Sequence, residues 1–441
     1  METASLTNYS DALYRIPLIT DGPWLGTPPQ AFNMMLDTGS SLSWIQSIAC
    51  SESSLLCNLA PKFNTSRSST LHYQPESVTV RYTEGTITTQ LVSDVVTLGA
   101  ILNMRATSLP ADTTPINSSA RVQTNIHRTP SSAPFQGIRT FGVTNDVSGD
   151  SFLMSKEKSV PGFLGASQRR FETESDYATH IFSEVVRELP SPVFTLAFTD
   201  TWGTLTLGGT DPCFSSVPLT WIKTLPDEAA WVTRLSSRIE ITSGKTDDQP
   251  TKLLNYVETD LDRVWFDSGT TFIWGDEKAI APLNALMGAD SVTGQIDCSK
   301  VPSLGKIVFS IGGSESNPAM RLELSPNEYI VGKVDSRRCF SALNVSSPNK
   351  NHWIFGLHLL RGYYTAYHYG FGLIGIAPYN ITKSNPSGMA IVPGSHDKLE
   401  RAVKESLQRM LSNAPCSESF PSVYLLPVIA TFFLLIALWP G

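Results

Sequence analysis

One short signature occurs twice in this chain. Leu36-Asp37-Thr38-Gly39-Ser40-Ser41 and Phe266-Asp267-Ser268-Gly269-Thr270-Thr271 both read apolar, Asp, Thr or Ser, Gly, then two small hydroxyl residues. Asp37 and Asp267 stand 230 residues apart, far beyond the roughly 20–50 residue periods of stacked repeats. The duplication therefore implies two lobes that each contribute one aspartate. An Asp that ends an apolar strand, followed by a small hydroxyl residue and Gly, projects its carboxylate from a tight turn. Gly permits the positive φ or the close backbone approach that such a turn needs. One copy of this tripeptide is usually only a turn. Two copies with matched flanks imply carboxylates brought face to face by approximate two-fold symmetry.

The remaining pattern is that of a β protein. Between residues 13 and 100 the runs YRIPLI, AFNMML, SWIQSI, SVTVRY, GTITTQLV and DVVTLG are alternating or β-branched, with turn residues between them. Residues 105–134 shift to Ser, Thr, Pro and Asn and read as a surface insertion. Strand signals resume at TFGVT and PGFLGA, residues 177–189 have helical spacing, and VFTLAF with GTLTLGG reads as a hairpin. A second strand-rich half covers about 215–380. The expected fold is all-β and bilobal with few short helices. An N-terminal lobe over 13–210 carries Asp37, and a C-terminal lobe over 211–380 carries Asp267.

Composition removes several classes of function. Lys and Arg number 33 against 40 Asp and Glu, a net charge of −7, so no basic surface for nucleic acid is expected. No CxxC occurs, and neither the six cysteines nor the seven histidines show metal-ligand spacing. Neither a metal nor a cofactor is expected. Gly370-Phe371-Gly372-Leu373-Ile374-Gly375 matches the dinucleotide fingerprint, but Ala377-Pro378 follows where a helix should begin. It is read as a strand. No G-x-S-x-G or H-E-x-x-H is present. Trp202, Trp221, Trp231, Trp265 and Trp274 are read as core or cleft-wall aromatics.

Two carboxylates a few ångströms apart cannot both ionise readily, so one pKa rises and the pair shares a proton. Aspartic proteases are the standing example of this behaviour. Such a pair deprotonates a water with one carboxylate and protonates a carbonyl oxygen or leaving amine with the other. That chemistry cleaves an amide with no covalent intermediate.

Over residues 13–380 the chain resembles the pepsin-like aspartic peptidases. Leu25-Gly26-Thr27-Pro28-Pro29-Gln30-Ala31-Phe32 is similar to the segment before that family's first catalytic turn. Val80-Arg81-Tyr82-Thr83-Glu84-Gly85-Thr86 resembles its flap hairpin, with Phe163-Leu164-Gly165 and Ile354-Phe355-Gly356 as the elements supporting each catalytic loop. The resemblance implies a pepsin-like, pseudo-two-fold fold and an endopeptidase acting on peptides or proteins at acidic pH, as a monomer. Asp37 and Asp267 would be catalytic. Thr38 and Ser268 would tie the loops together, with Gly39 and Gly269 in the turns, and Ser40 and Thr270 would bond the outer carboxylate oxygens. Tyr82, Thr83, Glu84 and Gly85 would form the substrate-binding flap, supported by Trp44. Cys50 would pair with Cys57, and Cys298 with Cys339. Thr83 stands where the family's flap has Gly, and Gly356-Leu357 replaces its Gly-Asp, removing a carboxylate near the cleft and altering the expected pH optimum. A catalytically impaired peptide binder on the same scaffold is the alternative.

Sequons at Asn8, Asn64, Asn117, Asn344 and Asn380, with an even cysteine count, favour a secretory, oxidising compartment. No leader pattern is visible at the N-terminus, which favours an extension upstream. Residues 395–414 have the spacing of a stalk helix. Residues 420–439 are almost wholly apolar; about 20 residues span roughly 30 Å as a helix, one bilayer core. Small residues and a polar spacer precede this stretch, which matches a glycolipid-anchor signal; a retained span is the alternative. The expected site is the cell surface or extracellular space, anchored by the C-terminus. Cleavage at or before Ala414 would remove Cys416 and leave Cys213 odd.

Overall fold

The computed structural model describes residues 18–20, 23–50, 57, 60–82, 85–98, 101–106, 135–148, 153–155, 158–159, 161–168, 181–189, 191–198, 203–211, 214–243, 253–314, 317–332, 339–346 and 351–379. Each repeated aspartate follows a short strand clamped within its own half. Met35–Asp37, buried throughout, lies parallel to Gly162–Gly165, with Leu164 opposite Leu36 and Gly165 opposite Asp37. Gly162–Gly165 is also antiparallel to Trp44–Gln46. The second half repeats this plan. Arg263–Phe266 lies parallel to Trp353–Phe355, which is antiparallel to Ile273–Gly275. A parallel neighbour must return by a long crossover. This explains why each supporting strand lies far along the chain from its aspartate.

The strands of the first half form one continuous sheet, apart from the separate pair Leu153–Ser155 and Lys158–Ser159. His72–Tyr82 pairs antiparallel with Gly85–Leu98, and Tyr82 faces Gly85 at the tip. Thr83 and Glu84 lie outside the described residues. The runs GTITTQLV and DVVTLG, read from sequence as two strands, are a single strand, Gly85–Leu98. Within it the buried Asp94 carboxylate is held through one oxygen. Its Oδ1 accepts from the Thr70 hydroxyl at 2.6 Å and from the Val95 N–H at 2.7 Å.

The two halves meet in this same sheet. Tyr363–His368 pairs with Val193–Phe198, which pairs with Gly203–Leu207 and through Ile101–Ala106 and Leu18–Thr20 reaches Met35–Asp37. The segment 370–375 is a turn into the strand Leu373–Pro378, antiparallel to Tyr363–His368, with Gly372 at φ 59°. It does not open a helix.

Helices are short, as expected. Ile181–Arg187 buries Ile181, Phe182, Val185 and Val186, and Glu277–Met287 ends at left-handed Gly288 (φ 72°). Disulfides join Cys50 to Cys57 and Cys298 to Cys339. Of the stretch 105–134 read as an insertion, Arg105 and Ala106 belong to the strand Ile101–Ala106; the rest of that stretch and the readings for 395–414, 420–439, Trp202, Cys213 and Cys416 lie outside the described residues.

Candidate active site

The two aspartate turns face each other at the centre of the molecule. Asp37 and Asp267 are both buried, at 4% and 8% exposure. Each carboxylate is held by its own turn in the same way. Gly39 N–H donates to Asp37 Oδ1 at 2.8 Å and the Ser40 hydroxyl to Oδ2 at 2.5 Å. Gly269 N–H donates to Asp267 Oδ1 at 2.8 Å and the Thr270 hydroxyl to Oδ2 at 2.6 Å. The glycines are required by proximity. A Cβ on Gly39 would lie 2.5 Å from Asp267 Oδ1, and one on Gly269 would strike Asp37 Oδ1. Each glycine thus presents its bare Cα to the opposite carboxylate.

Four reciprocal hydrogen bonds lock the turns together. The Thr38 hydroxyl donates to Phe266 O at 2.9 Å and accepts from the Ser268 N–H at 2.9 Å. The Ser268 hydroxyl donates to Leu36 O at 2.8 Å and accepts from the Thr38 N–H at 3.1 Å. Thr38 and Ser268 are completely buried, so losing either hydroxyl strands a main-chain donor and acceptor. Behind the turns, Ala166 N–H bonds Asp37 O at 2.7 Å, and Leu357 N–H bonds Thr270 O at 2.8 Å.

Burial, followed by the adjacent Asp267 carboxylate, pushes the Asp37 carboxyl up to about 8, against opposing hydrogen bonds from Ser40 and Gly39. The pair therefore holds a proton where an isolated carboxyl would have lost it.

The hairpin tip reaches this region through an aromatic stack. Trp44 Nε1 donates to the Tyr82 hydroxyl at 2.8 Å. The Tyr82 and Phe163 rings meet edge to face at 5.1 Å, and Phe163 lies 5.2 Å from Trp44. Sequence reading identified Tyr82 and Trp44 but gave Phe163 no contact with the hairpin. Its position opposite Met35 on the strand beside Asp37 brings it there.

Two carboxylates held this close can share and exchange a proton. Among the described residues no group of three or more His, Cys, Asp and Glu side chains could hold a metal. Two sequons fall within the described residues. Asn64 caps a short turn by accepting from Ser66 N–H at 3.1 Å, and Asn344 is half-buried. Asn8, Asn117 and Asn380 lie outside.

The profile of the eukaryotic aspartyl proteases matches residues 24–125 and 135–379. The chain belongs to that family. Among its relatives, cathepsin D of Gallus gallus is 27% identical over 370 residues, covering 82% of this chain and 79% of the relative. Cathepsin D of Chionodraco hamatus is 26% identical over 388 residues, covering 85% and 83%. Pepsin A of Sus scrofa is 27% identical over 381 residues, also covering 85% and 83%. This aspartyl protease is an endopeptidase whose substrates are peptides or proteins.

Proposed function

We propose that Asp37 and Asp267 are the catalytic dyad and hydrolyse peptide bonds by activating one water between them. The observation that supports this most is the mutual approach of the two turns, each glycine Cα bare against the opposite carboxylate. With one proton on the pair, the ionised carboxylate takes a proton from water as the water oxygen attacks the scissile carbonyl carbon. The protonated carboxyl gives its proton to the carbonyl oxygen, forming a neutral gem-diol. The diol then collapses: the C–N bond breaks, the nitrogen receives a proton from one carboxyl while a diol hydroxyl returns its proton to the other carboxylate, and a carboxylic acid and an amine leave. Ser40 and Thr270 orient the outer oxygens so that the inner ones face the water. Thr38 and Ser268 hold the separation constant while protons move.

The singly protonated pair is the working form. The raised Asp37 value supports activity at acidic pH that extends toward neutrality and falls as the shared proton is lost. Tyr82 and Gly85, with Thr83 and Glu84 between them in sequence, form the flap that covers substrate, and Trp44 and Phe163 brace it from below. The decisive experiment is cleavage of denatured haemoglobin or casein from about pH 3 upward, with and without a statin-type transition-state mimic. Asp37→Asn and Asp267→Asn should each abolish inhibitor-sensitive cleavage. Unimpaired cleavage by either variant sinks the proposal, and tight inhibitor binding without cleavage by the unaltered protein favours the impaired binder.

The disulfides Cys50–Cys57 and Cys298–Cys339 support folding in an oxidising, secretory compartment. We place the enzyme at the cell surface as a monomer anchored by the apolar stretch 420–439. Among the described residues no helix is long and apolar enough to cross a membrane. Release from intact cells by a phosphatidylinositol-specific phospholipase would support a lipid anchor. Retention after that treatment would point to a span.

A further inference from the structure

Trp231 touches the support of both aspartates, once through its main chain and once through its indole. Its carbonyl accepts the N–H of Phe266, the residue before Asp267, at 3.0 Å. Its Nε1 donates to Ala166 O at 2.8 Å, and the N–H of Ala166 donates to Asp37 O at 2.7 Å. A second donor converges on the same carbonyl: the Tyr369 hydroxyl, at 3.1 Å. One step further along, Ser167 N–H bonds Ser40 O at 2.9 Å. The strand of Asp267 and the turn of Asp37 are thus joined through one residue, by its carbonyl on one side and its indole on the other, in contacts separate from those between Thr38 and Ser268.

The strut is well braced. Trp231 and Ala166 have no exposed surface, and Tyr369 is 4% exposed. The Trp231 ring meets those of Tyr369 and Tyr367 at 5.1 Å each, and Tyr367 stacks on Phe194 at 4.7 Å. The Arg187 guanidinium lies over the Tyr369 ring at 4.8 Å and bonds Gln168 O at 3.0 Å. Burial pushes the Tyr369 phenol far above its ordinary value, so it remains a donor throughout the working range. A buried carbonyl with two fixed donors has little freedom to tilt.

We propose that Trp231, with Tyr369 as second donor, is a positioning residue that sets the separation of Asp37 and Asp267 across the two halves. The inference rests on the reading that these aspartates are the catalytic pair. Neither ring touches the carboxylates in the contacts described, so the effect passes through Ala166 and Phe266. Small displacements of paired catalytic groups lower turnover steeply.

The test uses the full chain carrying Trp231→Phe, Tyr369→Phe or both. Four quantities are measured: kcat, KM, the pH profile, and the titration of the aspartate carboxyl carbons by 13C NMR. Trp231→Phe should lower kcat about tenfold with KM changed less than about twofold, and should bring the two titration steps of the dyad closer together. Tyr369→Phe, which removes only a hydroxyl, should act in the same direction by about threefold. Should Trp231→Phe fail to fold, Tyr369→Phe decides alone. A lowered melting temperature with unchanged kcat, KM and titration per folded molecule would overturn the proposal, as would no change at all. An unaltered protein without dyad-dependent cleavage would overturn the catalytic reading instead, and the carboxyl titration, which needs no turnover, would still decide the positioning claim.

Discussion

Behind the Asp37 turn stand Ala166 and Ser167, whereas behind the Asp267 turn stand Leu357 and His358. The main-chain bonds are shifted between the two places: Ala166 and Ser167 N–H reach Asp37 O and Ser40 O, whereas Leu357 and His358 N–H reach Thr270 O and Thr271 O, further along the turn. In front of the turns the halves diverge again. The strands after the two turns each pair in parallel with a further strand, Trp44–Gln46 with Phe135–Ser148 and Ile273–Gly275 with Leu343–Val345, but Trp44 also bonds Tyr82 of the hairpin. The carboxylate bonds are duplicated, each aspartate being held by its own glycine N–H and hydroxyl. The groups beyond them differ, a bonded Trp44–Tyr82 pair in one half and the buried His358 in the other.

The equivalence of the two turns is broken most severely at their glycines. Gly39→Ala sets a Cβ 2.5 Å from Asp267 Oδ1, and Gly269→Ala sets one against Asp37 Oδ1. Each should lower kcat by about 100-fold or more, and the two losses should be similar. Turnover measured beside inhibitor affinity checks this. A tolerated alanine on one side would show that the turns do not approach each other symmetrically.

His358 sharpens the difference behind the turns. It is buried, stacks on Phe272 at 5.6 Å, and its Nδ1 has no hydrogen-bond partner among the described residues. Burial, then the nearby Arg361 charge, pushes its pKa down to about 3, opposed by the Glu328 carbonyl. Between the ordinary value of 6.5 and about 3, the unfolded chain takes up a proton that the folded protein refuses. Stability from this source is therefore full above the ordinary value and lost as pH falls. Asp37 acts in the opposite sense. The folded protein retains a proton between 3.8 and about 8 that the unfolded chain releases, so stability falls as pH rises through that range. Melting temperatures from pH 3.5 to 7.5 should show His358→Leu losing less on acidification than the unaltered protein, by an amount on the order of a few kcal/mol. Asp37→Asn should lose less toward neutrality. Parallel curves for His358→Leu and the unaltered protein would remove His358 as the acid-sensitive group.

The hydroxyl lock tests the symmetric part directly. Thr38→Val strands Phe266 O and Ser268 N–H, and Ser268→Ala strands Leu36 O and Thr38 N–H. Each should cost about 1–3 kcal/mol in denaturant unfolding, and the two costs should agree. A markedly smaller cost on one side would mean that one lobe carries the lock.

Much of this site was legible in the sequence because its essential atoms lie within six-residue motifs. Asp37 to Ser40 and Asp267 to Thr270 form their carboxylate bonds locally, so residue type and order were enough to find them. The supports were partly legible. Gly165 and Gly356 stood out as the ends of apolar runs, but nothing along the chain shows that a Cβ at Gly356 would lie 2.5 Å from Thr270 O. Trp231 and Tyr369 were invisible as positioning groups, since 65 and 203 residues separate them from Ala166. The single strand Gly85–Leu98 was read as two runs parted at Ser93, because nothing along the chain shows that Ser93 pairs with Thr140 of the neighbouring strand.

The smallest expected effect concerns the hairpin of His72–Tyr82 and Gly85–Leu98 in the first half. Trp44→Phe retains a ring against Phe163 but removes the Nε1–H that meets the Tyr82 hydroxyl at 2.8 Å. A single neutral hydrogen bond at a half-buried phenol contributes about 0.5–1.5 kcal/mol, or roughly two- to tenfold in kcat/KM. The loss should fall on long peptides that the hairpin covers and spare short ones, because the dyad itself is untouched. Tyr82→Phe removes the other partner of the same bond, so the double variant should lose little more than either single one. Additive losses would show that Trp44 and Tyr82 act separately. The hairpin would then be held by Phe163 packing alone, and the asymmetry between the halves would be one of shape rather than of hydrogen bonding.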